Sequence, residues 1–308
     1  MKRLLPTLLF LSIGQLIADD FSEQYYALSA AGDEAAIEKF LNEASTAEAE
    51  NPNYYAVAGN YWWGQAGAVS VPAIKAGEYQ LDPKDFSITD PKTGKKVGSI
   101  GQAGEVDPQI RERAIGILSE GARKFPQRAD IAFGLAHVQK KIGNRKGYVA
   151  TLTALLKQAK KDPAGLKWMD NAAMPEPPET YVPESVQAYS ADLFNANSPA
   201  TDAMCETLLS SVIDAFPDHP FAYNLKGALA DANGKPEEAL KMLETASKKA
   251  PKDTLILMNL AGAYAKVGKN AEAIAIYKKV SKLNVDPRTV AKAESALKRL
   301  EAGADKPK

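Results

Sequence analysis

The sequence predicts an all-α chain of stacked helical hairpins, a solenoid, with one small β-hairpin inserted in its N-terminal part. Three observations predict it. Near the C-terminus, positions recur at a spacing of 34: Gly227 returns as Ala261, Gly234 as Gly268, Ala239 as Ala273, Leu243 as Tyr277 and Pro217 as Pro251. Each pair keeps its small, turn-forming or bulky character, as a repeated helix–turn–helix unit does. Within a unit, Tyr223, Gly227 and Ala230 share one helical face, and Ala239, Leu243 and Ala246 share another. Turn residues then punctuate the pattern: Asn233 and Gly234 separate the two helices, Pro236 opens the second where a missing N–H costs nothing, and Pro251 ends it. One such hairpin cannot bury its apolar stripe alone, so successive units stack.

The last pair anchors the register. Pro220 to Asp253 is one unit, and the next repeats it with Leu257, Leu260, Ala261, Tyr264, Gly268, Ala273, Tyr277 and Val280. Small residues at 227 and 261 facing those at 239 and 273 let two helix backbones approach. One step back, Val186 to His219 carries Tyr189, Leu193, Cys205, Leu209 and Val212 on its stripe; Ala129 to about Lys160 carries Ala132, Leu135, Ala136, Gly143, Leu152 and Leu155. Further back, Pro52, Tyr55, Gly59 and Trp62 mirror Pro220, Tyr223, Gly227 and Ala230. The matching second helix is displaced to Asp107–Phe125, so this repeat holds an insertion over about 66–106. Phe21 to Glu50 makes one more unit. The count is about six.

Inside the insertion, Phe86 to Thr89 and Lys96 to Ile100 alternate around a turn at Asp90–Gly94 and read as a β-hairpin. Residues 161–185 hold Pro163, Pro175, Pro177, Pro178 and Pro183, which forbid a long helix and predict a loop interrupting the array. The expected organisation is N-terminal repeats over 19–160, this loop, three units over 186–287, a closing helix over 288–300 and a polar tail over 301–308.

The doubly matched C-terminal units resemble the tetratricopeptide repeat family. The resemblance implies a helical scaffold whose first helices line a groove that binds a peptide or protein partner. Groove positions then fall at Phe133, His137, Lys140, Phe221, Asn224, Asp231, Leu255, Met258, Asn259 and Lys266. This lining is mixed and fairly apolar. Members of the family that clamp a C-terminal carboxylate place lysines, arginines and asparagines there; Asn224 and Asn259 fit that pattern, but the basic partners are absent from the matching places.

Composition narrows the rest. Thirty-eight basic and thirty-eight acidic residues balance to zero formal charge, which gives no global field for nucleic acid. Charge is uneven locally, with nine acids and only Lys39 between Asp19 and Asn60. Residues 1–18, with Lys2 and Arg3 before the apolar run Leu4–Ile13 and a small residue at Ala18, read as a cleaved secretory signal peptide. The expected location is periplasmic or secreted. No later segment reads as a membrane span. Two histidines and a single cysteine form no metal-ligand spacing, and no phosphate loop, dinucleotide fingerprint or nucleophile elbow appears, so no catalytic residue, metal or cofactor is predicted. One aromatic cluster stands apart. Tyr54, Tyr61 and Trp63 form a candidate patch, and aromatic faces stack on sugars, which makes a glycan-binding role the alternative to a non-enzymatic protein scaffold.

Overall fold

The computed structural model describes residues 19–66, 80–81, 87–89, 96–99, 107–283 and 285–304. The predicted signal peptide, the predicted hairpin turn at Asp90–Gly94 and the end of the polar tail lie outside these residues. Thirteen α-helices dominate the described chain, and it divides into two compact units, 1–134 with 167–173, and 135–166 with 174–308.

The first unit opens with α1 (Asp20–Ala31) and α2 (Glu34–Ala47), each started by an aspartate, Asp19 and Asp33, whose carboxylate accepts a backbone N–H of the first turn. Helix α3 (Pro52–Ala66) packs against α4 (Pro108–Lys124). Between them, β1 (Gln80–Leu81), β2 (Ser87–Thr89) and β3 (Lys96–Ser99) pair antiparallel in the order β1-β2-β3, with Ser87 opposite Ser99 and a register shift between Ile88 and Thr89. The α3–α4 contact is intimate. A Cβ added at Gly59 would sit 2.5 Å from Leu118 Cγ, and one at Gly121 would sit 2.5 Å from Tyr55 Cβ. Only glycine permits this approach.

A buried polar tie draws four distant segments of this unit together. Arg128 is fully buried. Its guanidinium donates to both carboxylate oxygens of Asp130, at 2.8 and 2.7 Å, and to Asn53 Oδ1 at 2.9 Å. Asn53 Oδ1 also accepts from the backbone N–H of Asp170, while Asn53 Nδ2 and Ser22 Oγ donate to Asp170 Oδ1. Asp170 adopts the left-handed region at φ 57° in a 3-10 turn, Met169–Asn171. That conformation is uncommon for a residue with a Cβ; here three hydrogen bonds hold it. A charge buried this deeply is tolerable only because it is paired and hydrogen-bonded to matched acceptors.

The second unit is the regular one. It takes the C-terminal half of α5 (Ala129–Lys141), then α6 (Arg145–Lys161), α7 (Pro178–Ala196), α8 (Pro199–Ala215), α9 (Pro220–Ala232), α10 (Pro236–Lys249), α11 (Thr254–Lys266), α12 (Asn270–Ser281) and α13 (Pro287–Ala304). Helices α7, α8, α9 and α10 each start with proline at the first or second position, where the absent N–H has no intrahelical partner to lose. The inter-helix turns repeat in their hydrogen bonds. Asn144 N–H reaches Gln139 O, Lys235 reaches Ala230 and Lys269 reaches Tyr264, at 2.8 to 2.9 Å. Gly234 and Gly268 supply the left-handed residue this closure demands, at φ 70° and 78°. Ala239, Ala246, Ala261, Ala273 and Val280 are wholly buried, and Leu243 and Tyr277 nearly so. The small-against-large stripe therefore forms the seam between neighbouring helices. A Cβ on Gly227 would lie 2.6 Å from Leu243 Cγ and 3.1 Å from Ala239 O.

One boundary differs from the sequence reading. The proline-rich loop ends at Pro177, not at 185, because Pro178 starts α7 and Pro183 lies inside that helix. Pro178 is harmless at the first turn. Pro183 forfeits one helical hydrogen bond, and it is itself buried among core residues of α7 that include Val182 and Val186. The closing helix also runs further than expected, from Pro287 to Ala304.

Candidate functional site

Helices α7, α9 and α11, the first helix of each successive hairpin, touch in series within the second unit. A groove of about 440 Å³ opens along them, lined by Gln187 and Ala191 from α7, Phe221, Asn224 and Leu225 from α9, and Leu255 and Ile256 from α11. Gln187, Phe221 and Leu255 stand 34 residues apart, as do Ala191, Leu225 and Asn259. The groove thus presents the first of these repeat positions three times and the second twice, with Asn259 beside it. Stepping the register back by 34 from Phe221 and Leu225 is the signal by which Gln187 and Ala191 are legible in the sequence, although neither is among the predicted groove positions.

The surface is poised between apolar and polar. Leu255 is 60% exposed, the most exposed of the large apolar side chains described. Phe221 is half-buried and meets the His219 ring edge-on at 5.5 Å. Asn259 donates its amide to Asn224 Oδ1 at 3.0 Å, which leaves the Asn224 amide N–H groups and Asn259 Oδ1 for another partner. Burial holds the His219 imidazole below its ordinary pKa, opposed by nearby Glu184. Met258 packs on the cluster of Leu257, Ala261, Ala273 and Tyr277. At the far ends of α9 and α11, Lys266 pairs with Asp231 at 2.6 Å.

Three of the ten predicted groove residues, Phe221, Asn224 and Leu255, line this groove; Asn259 joins through its bond to Asn224, and Met258 neighbours Asn259 on α11. Others are placed differently. Phe133 belongs to the first unit, where its ring lies 6.5 Å from Trp168. Lys140 is engaged, donating to Ala188 O at 2.9 Å with its ammonium 5.1 Å from the Tyr189 ring, so it ties α5 to α7. The His137 side chain is exposed overall, yet partial desolvation of its ring, aided by Lys141 and Lys140, lowers its pKa.

The aromatic patch is corrected. Tyr54 is buried at 4% exposure, wedged between Phe21 and Tyr55 with ring centroids 6.0 and 5.2 Å away. Its two neighbours already claim the ring, so it offers no face to a sugar. Tyr61 stacks edge-on against Trp62, and Arg113 lies 3.7 Å above the Trp62 ring. Tyr61 and Trp63 are half-buried.

Among the described residues no group of three or more His, Cys, Asp or Glu is placed to hold a metal ion. Cys205 is fully buried, its thiol pushed up to about 12 by burial and by Asp202 and Glu206, which leaves no thiolate for reaction at neutral pH. No helix among the described residues is long and apolar enough to cross a membrane.

Serial hairpins, glycine-closed turns and first helices exposed along a groove define the class of helical-repeat proteins. Residues 230–300 match the family model of the tetratricopeptide repeat, and the chain carries tetratricopeptide repeats there. Proteins of this family bind protein partners. Similar solved structures include a thermophilic tetratricopeptide repeat protein of Thermus thermophilus, at 17% identity over 61% of this chain and 91% of that one, TM-score 0.38. A tetratricopeptide repeat protein of Parabacteroides merdae aligns at 14% identity over 94% of this chain and 88% of that one, TM-score 0.38. No curated protein matches the chain.

Proposed function

We propose that the chain is an exported, non-enzymatic scaffold that holds a peptide segment of a partner protein in the α7–α9–α11 groove. One observation carries the reading. Leu255 stands exposed at the edge of a groove that also offers Phe221 and Leu225 as apolar floor and two asparagine amides with unused hydrogen-bonding capacity. Burying an exposed leucine on a partner is worth about 1.5–3 kcal/mol, enough to make it a binding anchor. The amides suit the N–H and C=O groups of a peptide backbone. Export rests on the leader-like residues 1–18, and the periplasm or the exterior is the compartment we propose. The inserted segment at about 66–106, which holds β1, β2 and β3, adds surface to the same scaffold.

Site-specific photo-crosslinking tests the reading. A photoreactive amino acid at position 255 is expected to form a covalent adduct with an envelope protein, while the same group at Lys278, exposed on α12, forms none. Adducts at both positions, or at neither, overturn it. N-terminal sequencing of the native protein tests export, with Asp19 as the expected first residue.

A further inference from the structure

The charge of the groove narrows what it accepts. Eleven residues line it, and two of them, Glu184 and Asp253, are carboxylates, while none is lysine or arginine. Both carboxylates are exposed. Glu184 comes from α7. Asp253 caps α11, one oxygen accepting the Ile256 N–H at 3.0 Å. Burial keeps His219 from gaining charge near neutral pH, so the ring does not offset them. The paired Asp231 and Lys266 cancel each other and do not line the groove.

We infer that the partner segment is basic and apolar together: a peptide that seats an apolar side chain against Phe221, Leu225 and Leu255 and sets lysine or arginine side chains toward Glu184 and Asp253. A peptide ending in a free carboxylate, or one flanked by glutamates, meets like charge there and is rejected. The inference rests on the groove reading above and adds to it the chemistry of the occupant.

Selection from a random dodecapeptide library displayed on phage, panned on the immobilised chain, tests it. Enriched peptides are expected to carry net positive charge beside at least one large apolar residue. Synthesised and labelled, they are expected to lose about tenfold in affinity in the double variant Glu184→Gln/Asp253→Asn, in line with two partly exposed charge pairs. Asparagine at 253 keeps the helix cap, so the fold survives. Raising salt is expected to weaken the parent and leave the double variant nearly unmoved. Enriched peptides that are neutral or acidic overturn the inference, as does an unchanged affinity in the double variant. If such peptides still lose binding in Leu255→Asp, the groove stands and only the basic partner falls. If Leu255→Asp binds them as the parent does, or if nothing is enriched, the groove reading falls as well.

Discussion

In the second unit a hairpin closes by setting Gly227 against Leu243, sixteen residues further on; in the first, Gly59 meets Leu118, fifty-nine residues further on. The contact is the same glycine-under-leucine seam, and the difference is the segment between Ala66 and Asp107. Lengthening a tight turn to roughly forty residues adds about 2 kcal/mol of closure entropy. The first unit has the buried tie around Arg128, whereas the hairpins α9–α10 and α11–α12 are closed by short turns and apolar seams. Where a repeat is contiguous, local packing suffices. Where it is interrupted, bonds between residues 22, 53, 128 and 170 hold together what the chain no longer keeps close.

The sharpest way to break this contrast is Arg128→Met. It strands the Asp130 carboxylate, whose side chain is only 10% exposed, and takes from Asn53 Oδ1 one of its two donors, leaving the Asp170 N–H. Removing one partner of a buried ion pair costs about 3–5 kcal/mol. Urea denaturation is expected to show that loss, and adding Asp130→Leu to the variant is expected to recover part of it. A loss under about 1 kcal/mol, the scale of a surface pair, removes the tie as the first unit's clasp.

Next in size are the two seams. Gly59→Ala and Gly227→Ala each force a methyl into leucine at 2.5 and 2.6 Å. Overpacking costs about 1–3 kcal/mol, against which better helix propensity returns up to about 1 kcal/mol. Both variants are expected to be destabilised in denaturant titrations. The Gly227 case is the worse, because Ala239 O, a backbone atom, adds a contact at 3.1 Å that no rotamer change relieves. Equal or reversed losses remove Ala239 O as a contact that matters at the Gly227 seam.

Much of this was legible in the sequence, and the parts that were not share a cause. Ala239, Leu243, Ala273 and Tyr277 declared themselves because each contact lies within one repeat and recurs in the next. Arg128 did not. A lone arginine before a helix reads as solvated, and its partners at 53 and 169 lie 75 and 41 residues away. Tyr54 looked like a surface ring because helical spacing set it on a face apart from Tyr55 and Trp62, yet that face is covered by Phe21 of α1. In the groove, periodicity found Phe221 and Leu255, while Phe133 followed the same logic into a unit that does not repeat in the same way.

Alkaline pH probes both units at a smaller scale. Burial, together with Glu38 and Glu34, pushes Tyr61 in the first unit up to about 12. Burial and a hydrogen bond to Glu244 push Tyr264 in the second up to about 12. Each phenol is harder to ionise folded than unfolded, where it titrates near 10. The unfolded chain therefore gives up its proton first. Stability held below pH 10 is lost as pH rises from 10 toward 12. Tyr264→Phe is expected to flatten that decline in stability measured by denaturant between pH 9 and 12, and an unchanged slope would remove Tyr264 as its source.

The smallest expected effect separates fold from function. Leu255 is 60% exposed, whereas Leu257, two residues on, is 4% exposed and belongs to the core cluster. Leu255→Asp is expected to change unfolding free energy by no more than about 0.5 kcal/mol, as surface substitutions do. Leu257→Ala is expected to cost about 2–5 kcal/mol by opening a cavity. A helix that tolerates aspartate at 255 has no structural use for leucine there, which leaves a partner as the reason for an oily side chain in water. If Leu255→Asp instead destabilises the chain like Leu257→Ala, the exposed leucine is a packing residue of α11, and the groove loses the anchor on which its binding role depends.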